Sequence, residues 1–444
     1  MTFLQSISRS FQTSPAKTKS TSPETGTVSA SSEPAPPVLN EKIFIARQPI
    51  FDKNINVYGY ELLFRDGQSN SANVTDNDTA TQNTLINALV EFGLNDLIGN
   101  YRGFINLGPQ HVFGDFPFTE YRDRLVLEIL ESIPIDASLV RAATKLKSQG
   151  YLIALDDVFV RPETELLFPI VDIVKIDLTL IPRDDLARQM AILKKFPNLK
   201  VLAEKVEEPE TYKQCRDLGC EYFQGYFFAR PKTVVGKKIP ESRIAVLRLI
   251  AELQNPNVSV AEIERLIKQD ASLSYKLLKY INSAMTGVAQ QINNVRQAIT
   301  LLGLSRIRVL ATMLGLAHGN DKPHELLVTA LVRARTCELV ATRMRLTDPS
   351  SLFVVGLFSL LDAMLDQPLD LLMKQLPLAE PIRQAILAHQ GEMGKILNEV
   401  TAFEQGDWTT LQQDPAAMRR TRESYMEGLR WTAALQPDLF FEKS

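Results

Sequence analysis

Between Ile43 and Phe228, short apolar runs alternate with stretches of helical period. Ile43–Phe51 and Val57–Arg65, joined by the turn-like Asp52-Lys-Asn-Ile-Asn56, predict a hairpin or one strand feeding another across a barrel mouth. Asn70 to Thr81 reads as a polar loop, and Leu85, Leu89, Phe92 and Leu97 mark a helix after it. Strands are predicted at Gly103–Leu107, Leu125–Leu130, Tyr151–Asp157, Val171–Leu178, Lys200–Glu207 and Glu221–Phe228. Helices fall between them at 136–148, 184–195 and 209–218. Such repeats fit an α/β barrel or a doubly wound sheet. Polar residues close five or six separate strands rather than one switch point, so the barrel is preferred.

After Pro231 the period becomes helical throughout. Ile244, Leu247 and Ile250 open the first helix, Ser259 and Glu262 form a capping box for the second, and Asp270 starts a third with Leu273, Leu277 and Ile281 on one face. Further helices are expected at 294–302, 304–316, 324–345, 351–366, 380–398 and 422–437. The division is a disordered Ser/Thr/Pro-rich tail at 1–40, a barrel at 41–231, a linker at 232–240 and an all-α domain at 241–440.

Composition narrows the chemistry. A net charge of −3 over 444 residues gives no global basicity for nucleic acid. Cys215, Cys220 and Cys337 make no disulfide framework, which fits a reducing cytoplasm. His111, His318, His324 and His389 are too few and too scattered for a multi-histidine metal centre. No charge-free run approaches the ~18 residues of a membrane span. Arg306, Arg308, Arg333, Arg335, Arg343 and Arg345 make the helical region locally basic, as solvated helix faces or toward an acidic partner or phosphate-rich ligand.

Tyr151-Leu-Ile-Ala-Leu-Asp-Asp157 runs an apolar strand into two carboxylates. The pair either caps a following helix or belongs to a site at the strand ends. Glu61, Asn106, Glu128, Asp156 and Asp157 form an oxygen-only set that suits magnesium or manganese rather than zinc. Lys175 shares a strand face with Asp177 and is placed to pair with a carboxylate or orient a water. Glu204, Glu207 and Gln224 extend the polar set.

Glu61-Leu-Leu resembles the Glu-Ala-Leu signature of the EAL domain, the cyclic di-GMP phosphodiesterase barrel, and the likeness continues through residues 43–231. It implies a TIM-like barrel with Glu61, Asn106, Glu128, Asp156 and Asp157 as metal ligands. It makes Lys175 the partner of the catalytic water and Glu204 a support for the metals. Gln48, Arg65 and Gln224 lie near bound nucleotide, and Glu207 steadies a loop. Three departures stand out: Leu62 in the signature, Val158 to Arg161 where the family carries glycines and a threonine, and Lys205 where it carries glycine. Arg161 and Lys205 are therefore candidate blocking groups.

Ile267-Lys-Gln-Asp-Ala-Ser-Leu-Ser-Tyr-Lys-Leu-Leu-Lys-Tyr-Ile-Asn-Ser283 and Ile292 to Gly303 resemble the HDOD domain, a helical relative of HD phosphohydrolases. Val355-Gly-Leu-Phe-Ser-Leu-Leu361 lacks the His-Asp ligands of those enzymes, so no metal is expected in this half. The resemblance implies a bacterial signalling or scaffold protein without phosphodiesterase activity. Its barrel would be a candidate binder of cyclic di-GMP and its HDOD domain would meet a protein partner. The alternative is an active, magnesium- or manganese-dependent phosphodiesterase yielding linear diguanylate. Homodimerisation is left open, because the altered loop is one that normally helps form the barrel dimer.

Overall fold

The computed structural model describes residues 43–66, 93–114, 116, 119–229, 249–252, 258–282, 292–317, 322–376, 378–411 and 414–435. The expected tail at 1–40, the polar loop at 70–81, the linker at 232–240 and the helix starts near 85 and 241 lie outside these residues.

Eight strands close a barrel in sequence order: β1 Ile43–Asp52, β2 Val57–Asp66, β3 Arg102–Leu107, β4 Leu125–Ile129, β5 Leu152–Leu155, β6 Ile173–Asp177, β7 Lys200–Glu204 and β8 Tyr222–Gln224. β2 to β8 run parallel, whereas β1 pairs antiparallel with both β2 and β8. The hairpin reading of 43–65 is therefore the right one, and its turn at 53–56 lies at the face opposite the strand C-termini. Ile50, Phe104, Val126, Ala154, Ile173 and Leu202 form a buried apolar cluster of their own. Between strands, the helices lay apolar faces on the outer wall. Ala137–Ser148, for example, buries Leu139, Ala142, Ala143 and Leu146, and the Asp136 carboxylate caps it by accepting from the backbone N–H of Ser138 and Leu139.

Beyond the barrel, the described residues are mainly helical. Ser259 caps Val260–Lys268 by accepting from the Glu262 N–H at 3.1 Å. The Glu262 carboxylate turns instead to Arg265, so only half of the expected capping box forms. Asp270 caps Ala271–Ile281, whose Leu273, Leu277 and Ile281 are buried. The central helix, His324–Arg343, packs against Pro349–Phe358 and Pro415–Ala434.

Several expected boundaries need correction. The stretch at 351–366 is two helices, Pro349–Phe358 and Leu361–Leu365. That at 380–398 breaks at His389, whose φ of 53° ends Glu380–Ala388 before Gly391–Gln405 begins. The last helix starts seven residues earlier than 422, because Asp414 caps it and Pro415 occupies its first turn. Leu369–Gln375 and Trp408–Leu411 were not anticipated.

The helices from His324 onward share one apolar core with the barrel, whereas Val260–Lys268, Ala271–Ile281 and Val295–Leu302 bury a separate cluster that includes Ile267, Leu277 and Ile299. Gly391–Gln405 packs on β1, and Trp408 meets Phe44 with ring centroids 6.5 Å apart. The Tyr60 hydroxyl donates to Glu325 Oε2 at 2.9 Å, and Arg430 pairs with Asp96 at 2.8 Å. A cavity of about 40 Å³ lies between Gln48, Tyr226, Glu325, Glu404 and Tyr425. It can hold water but is far below the ~300 Å³ of a small-molecule pocket.

Candidate active site

β-Strand geometry sends alternate side chains inward, so each strand can place one polar group at a given level of the barrel. Gln48 and Glu61 are directly paired across β1 and β2. Asn106 and Glu128 are paired across β3 and β4, and Asp177 and Glu204 across β6 and β7. Asp156 and Asp157 immediately follow β5, and Gln224 ends β8. Neither aspartate caps a helix, since the next one, Pro162–Glu165, has Arg161 at its cap position.

Lys175 is the hub. Its ammonium lies 2.8 Å from Glu128 Oε1, 2.8 Å from Asp156 Oδ1, 2.9 Å from Glu204 Oε1 and 3.5 Å from Glu61 Oε1. Burial by itself would lower the Lys175 pKa, but these four carboxylates together raise it well above the usual lysine range, so the ammonium stays charged. Glu128 is fully buried, and loss of solvent raises its carboxyl far above normal despite the pull of Lys175. Burial pushes Glu204 up to about 8, again against Lys175. Asp157 is raised by burial and then by Asp156, Asp177 and Glu131.

One lysine does not match this many acids. Carboxylate oxygens of Asp156, Asp157 and Glu204 lie within 4.8 Å of one another. Asn106 Oδ1, Glu128 Oε2 and Gln224 Oε1 are buried without a hydrogen-bond donor. An all-oxygen set with orphaned acceptors fits a hard divalent cation.

The loop after the aspartates is extended and anchored. Val158 N–H donates to the Lys175 carbonyl at 2.9 Å, Val160 N–H donates to buried Gln189 Oε1 at 3.0 Å, and both valines are buried. Asp157, with φ 45°, is the one left-handed residue between Asp156 and Arg161. Arg161 is exposed, its guanidinium 5.5 Å from the Phe159 ring centre. Lys205 has φ 53°, a conformation that glycine adopts at no steric cost. Its side chain is more than half exposed and its ammonium pairs with Asp177, which Thr179 also contacts by backbone and hydroxyl. Burial works against the Asp177 carboxylate, but Lys205 and Thr179 hold its pKa below the usual value. Glu207 is exposed just beyond β7. The side chain of Arg65 lies outside the described residues.

Gln224 Nε2 donates to Glu61 Oε2 at 2.6 Å and to Gln48 Oε1 at 3.0 Å, which joins three neighbouring strands. Gln48 Nε2 donates in turn to the Gln405 carbonyl at 3.0 Å, in the helical region. Nothing in the sequence signals Gln405. Gly225 follows at φ 140°, where a Cβ would stand 2.2 Å from the Val206 carbonyl oxygen, so the closing strands meet only because the residue is glycine.

The EAL domain family matches residues 38–231 and the HDOD domain family residues 239–364. Over 403 residues the chain is 33% identical to the uncharacterized protein YuxH of Bacillus subtilis, covering 88% of this chain and 98% of that one. The chain belongs to the EAL–HDOD family. This EAL–HDOD protein is also 33% identical over 397 residues to the cyclic di-GMP phosphodiesterase CdgJ of Vibrio cholerae, covering 88% and 92% of the two chains. Among solved structures, a standalone EAL protein of Vibrio cholerae in its c-di-GMP-bound form aligns at 23% identity and TM-score 0.35, over 44% of this chain and 93% of that chain. The HDOD match stops at residue 364, whereas helices continue to Ala434. No helix among the described residues is long and apolar enough to cross a membrane.

Proposed function

We propose that this EAL–HDOD protein is a cytoplasmic signalling protein that recognises cyclic di-GMP at the barrel mouth and passes the bound state to its helical domain and a protein partner there. The observation that supports this most is the surplus of carboxylates around Lys175, with Asp156, Asp157 and Glu204 gathered within 4.8 Å. Asp156, Asp157, Glu204, Glu61, Glu128 and Asn106 would hold magnesium or manganese, which supplies charge neutralisation for the phosphates and activation of water. Gln48 and Gln224 border the nucleotide, and Arg65 is its proposed phosphate contact.

Hydrolysis to linear diguanylate is the second reading. The outward position of Arg161 favours it, because one of the two cations expected to obstruct the mouth stands over Phe159 instead, while Lys205, the other, pairs with Asp177 beside the acids. The name of the CdgJ relative points the same way. Calorimetric titration of the full chain with cyclic di-GMP and manganese tests both readings when the products are also analysed. Binding without turnover supports the receptor, and linear diguanylate that vanishes in Glu61→Ala establishes the enzyme. Absence of any heat or product removes both.

A further inference from the structure

The Gln48 amide stands between two sites that belong to different domains. On one side it accepts from Gln224, and on the other it donates to Gln405. Gln405 is the last residue of Gly391–Gln405, and its carbonyl is one of the acceptors that a helix C-terminus leaves without an internal partner. A backbone carbonyl can only accept, so it fixes which end of the Gln48 amide faces it. The Gln48 oxygen is thereby turned to Gln224, whose NH₂ group is left to donate to both Gln48 and Glu61. Reversal of Gln48 would set two NH₂ groups face to face. Gln224 would then have to turn its oxygen toward the Glu61 carboxylate.

The helix end is held tightly enough to impose this order. Gly406 takes φ 68°, and a Cβ there would lie 2.7 Å from Leu63 Cδ1, two residues beyond Glu61 on β2. Trp408 against Phe44 and Tyr60 against Glu325 fasten the same hairpin to the helical domain.

We infer that the helical domain is a positioning element of the barrel site: the Gln405 carbonyl sets the Gln48 and Gln224 amides that orient Glu61. A partner that lifts the end of Gly391–Gln405 from β1 would reach the site through this relay. The inference rests on the reading of the mouth as a metal and nucleotide site.

Its test uses the full chain carrying Gly406→Asn, a residue that tolerates the left-handed backbone there but crowds Leu63, and the same change with Leu63→Ala, which restores room. Neither residue touches the site. Hydrogen exchange is followed in peptides covering 43–52 and 222–226, and manganese and cyclic di-GMP are titrated separately. Faster exchange in both peptides is expected, with manganese affinity about 10- to 100-fold lower, and recovery of both in the double variant. Exchange changes confined to 405–411, or unchanged manganese affinity in the Asn variant, would overturn the relay. A wild type that binds manganese but no cyclic di-GMP overturns the proposed ligand and leaves the relay to be judged on manganese. If the wild type takes no manganese either, exchange in the two site peptides decides the relay by itself.

Discussion

At the barrel mouth one ammonium, Lys175, lies against Glu61, Glu128, Asp156 and Glu204. In the helical domain Arg333, equally hidden from solvent, faces the single carboxylate of Glu404 at 2.7 Å and donates also to Ser359. Both clusters are buried, yet only the second balances. Excess charge of one sign costs stability in a low-dielectric interior unless something else neutralises it. A matched pair needs no further ion and can serve as structure alone. The ratio of acids to cations, more than burial, separates the site from the scaffold.

Lys175→Met should have the largest effect. It strands buried carboxylates, and about 3–5 kcal/mol of stability should be lost at neutral pH without divalent ions. Manganese should return much of that loss, as read in melting curves with and without the metal. A loss that manganese does not touch breaks the contrast between the clusters. Arg333→Met comes next, at about 3 kcal/mol, because it leaves the buried Glu404 carboxylate without its cation. Here manganese should make no difference, and adding Glu404→Leu should recover most of the loss.

The smallest effect is a pH dependence. Glu204 keeps its proton up to about pH 8 in the folded chain, against 4.5 as the ordinary value. Between those values the folded state binds more protons than the unfolded one, so the metal-free chain loses stability as pH rises. Manganese needs the ionised carboxylate, so its affinity should climb over the same range with release of a proton. Calorimetry in buffers of different ionisation enthalpy reads that proton, and a flat profile would show Glu204 already ionised.

The barrel was legible because each strand is an apolar run that ends in polar residues, and the site because those ends carry acids in succession. The helical boundaries were less so. His389 and Gly391, both at positive φ, interrupt a continuous apolar period, and Asp414 starts a helix whose first turns carry little apolar signal. The blocking roles expected of Arg161 and Lys205 rested on side-chain size and charge. Arg161 goes to Phe159 two residues before it and Lys205 to Asp177 on the neighbouring strand, and only the first of these contacts is local in sequence. Gln405 is invisible in sequence for a simpler reason: it acts through its main chain, which every residue possesses.

The reversed direction of β1 has a consequence for how this protein can diversify. Gln48 and Glu61 sit in the middle of a hairpin whose turn is at the far face of the barrel, so no mouth loop carries either residue. Insertions after β2 to β7 can reshape the rim and change what it admits. Between β1 and β2 such variation has nowhere to act, because their turn is at the other face. New specificity there must come from a neighbouring domain laid against the hairpin, and in this chain a helix end already occupies that position.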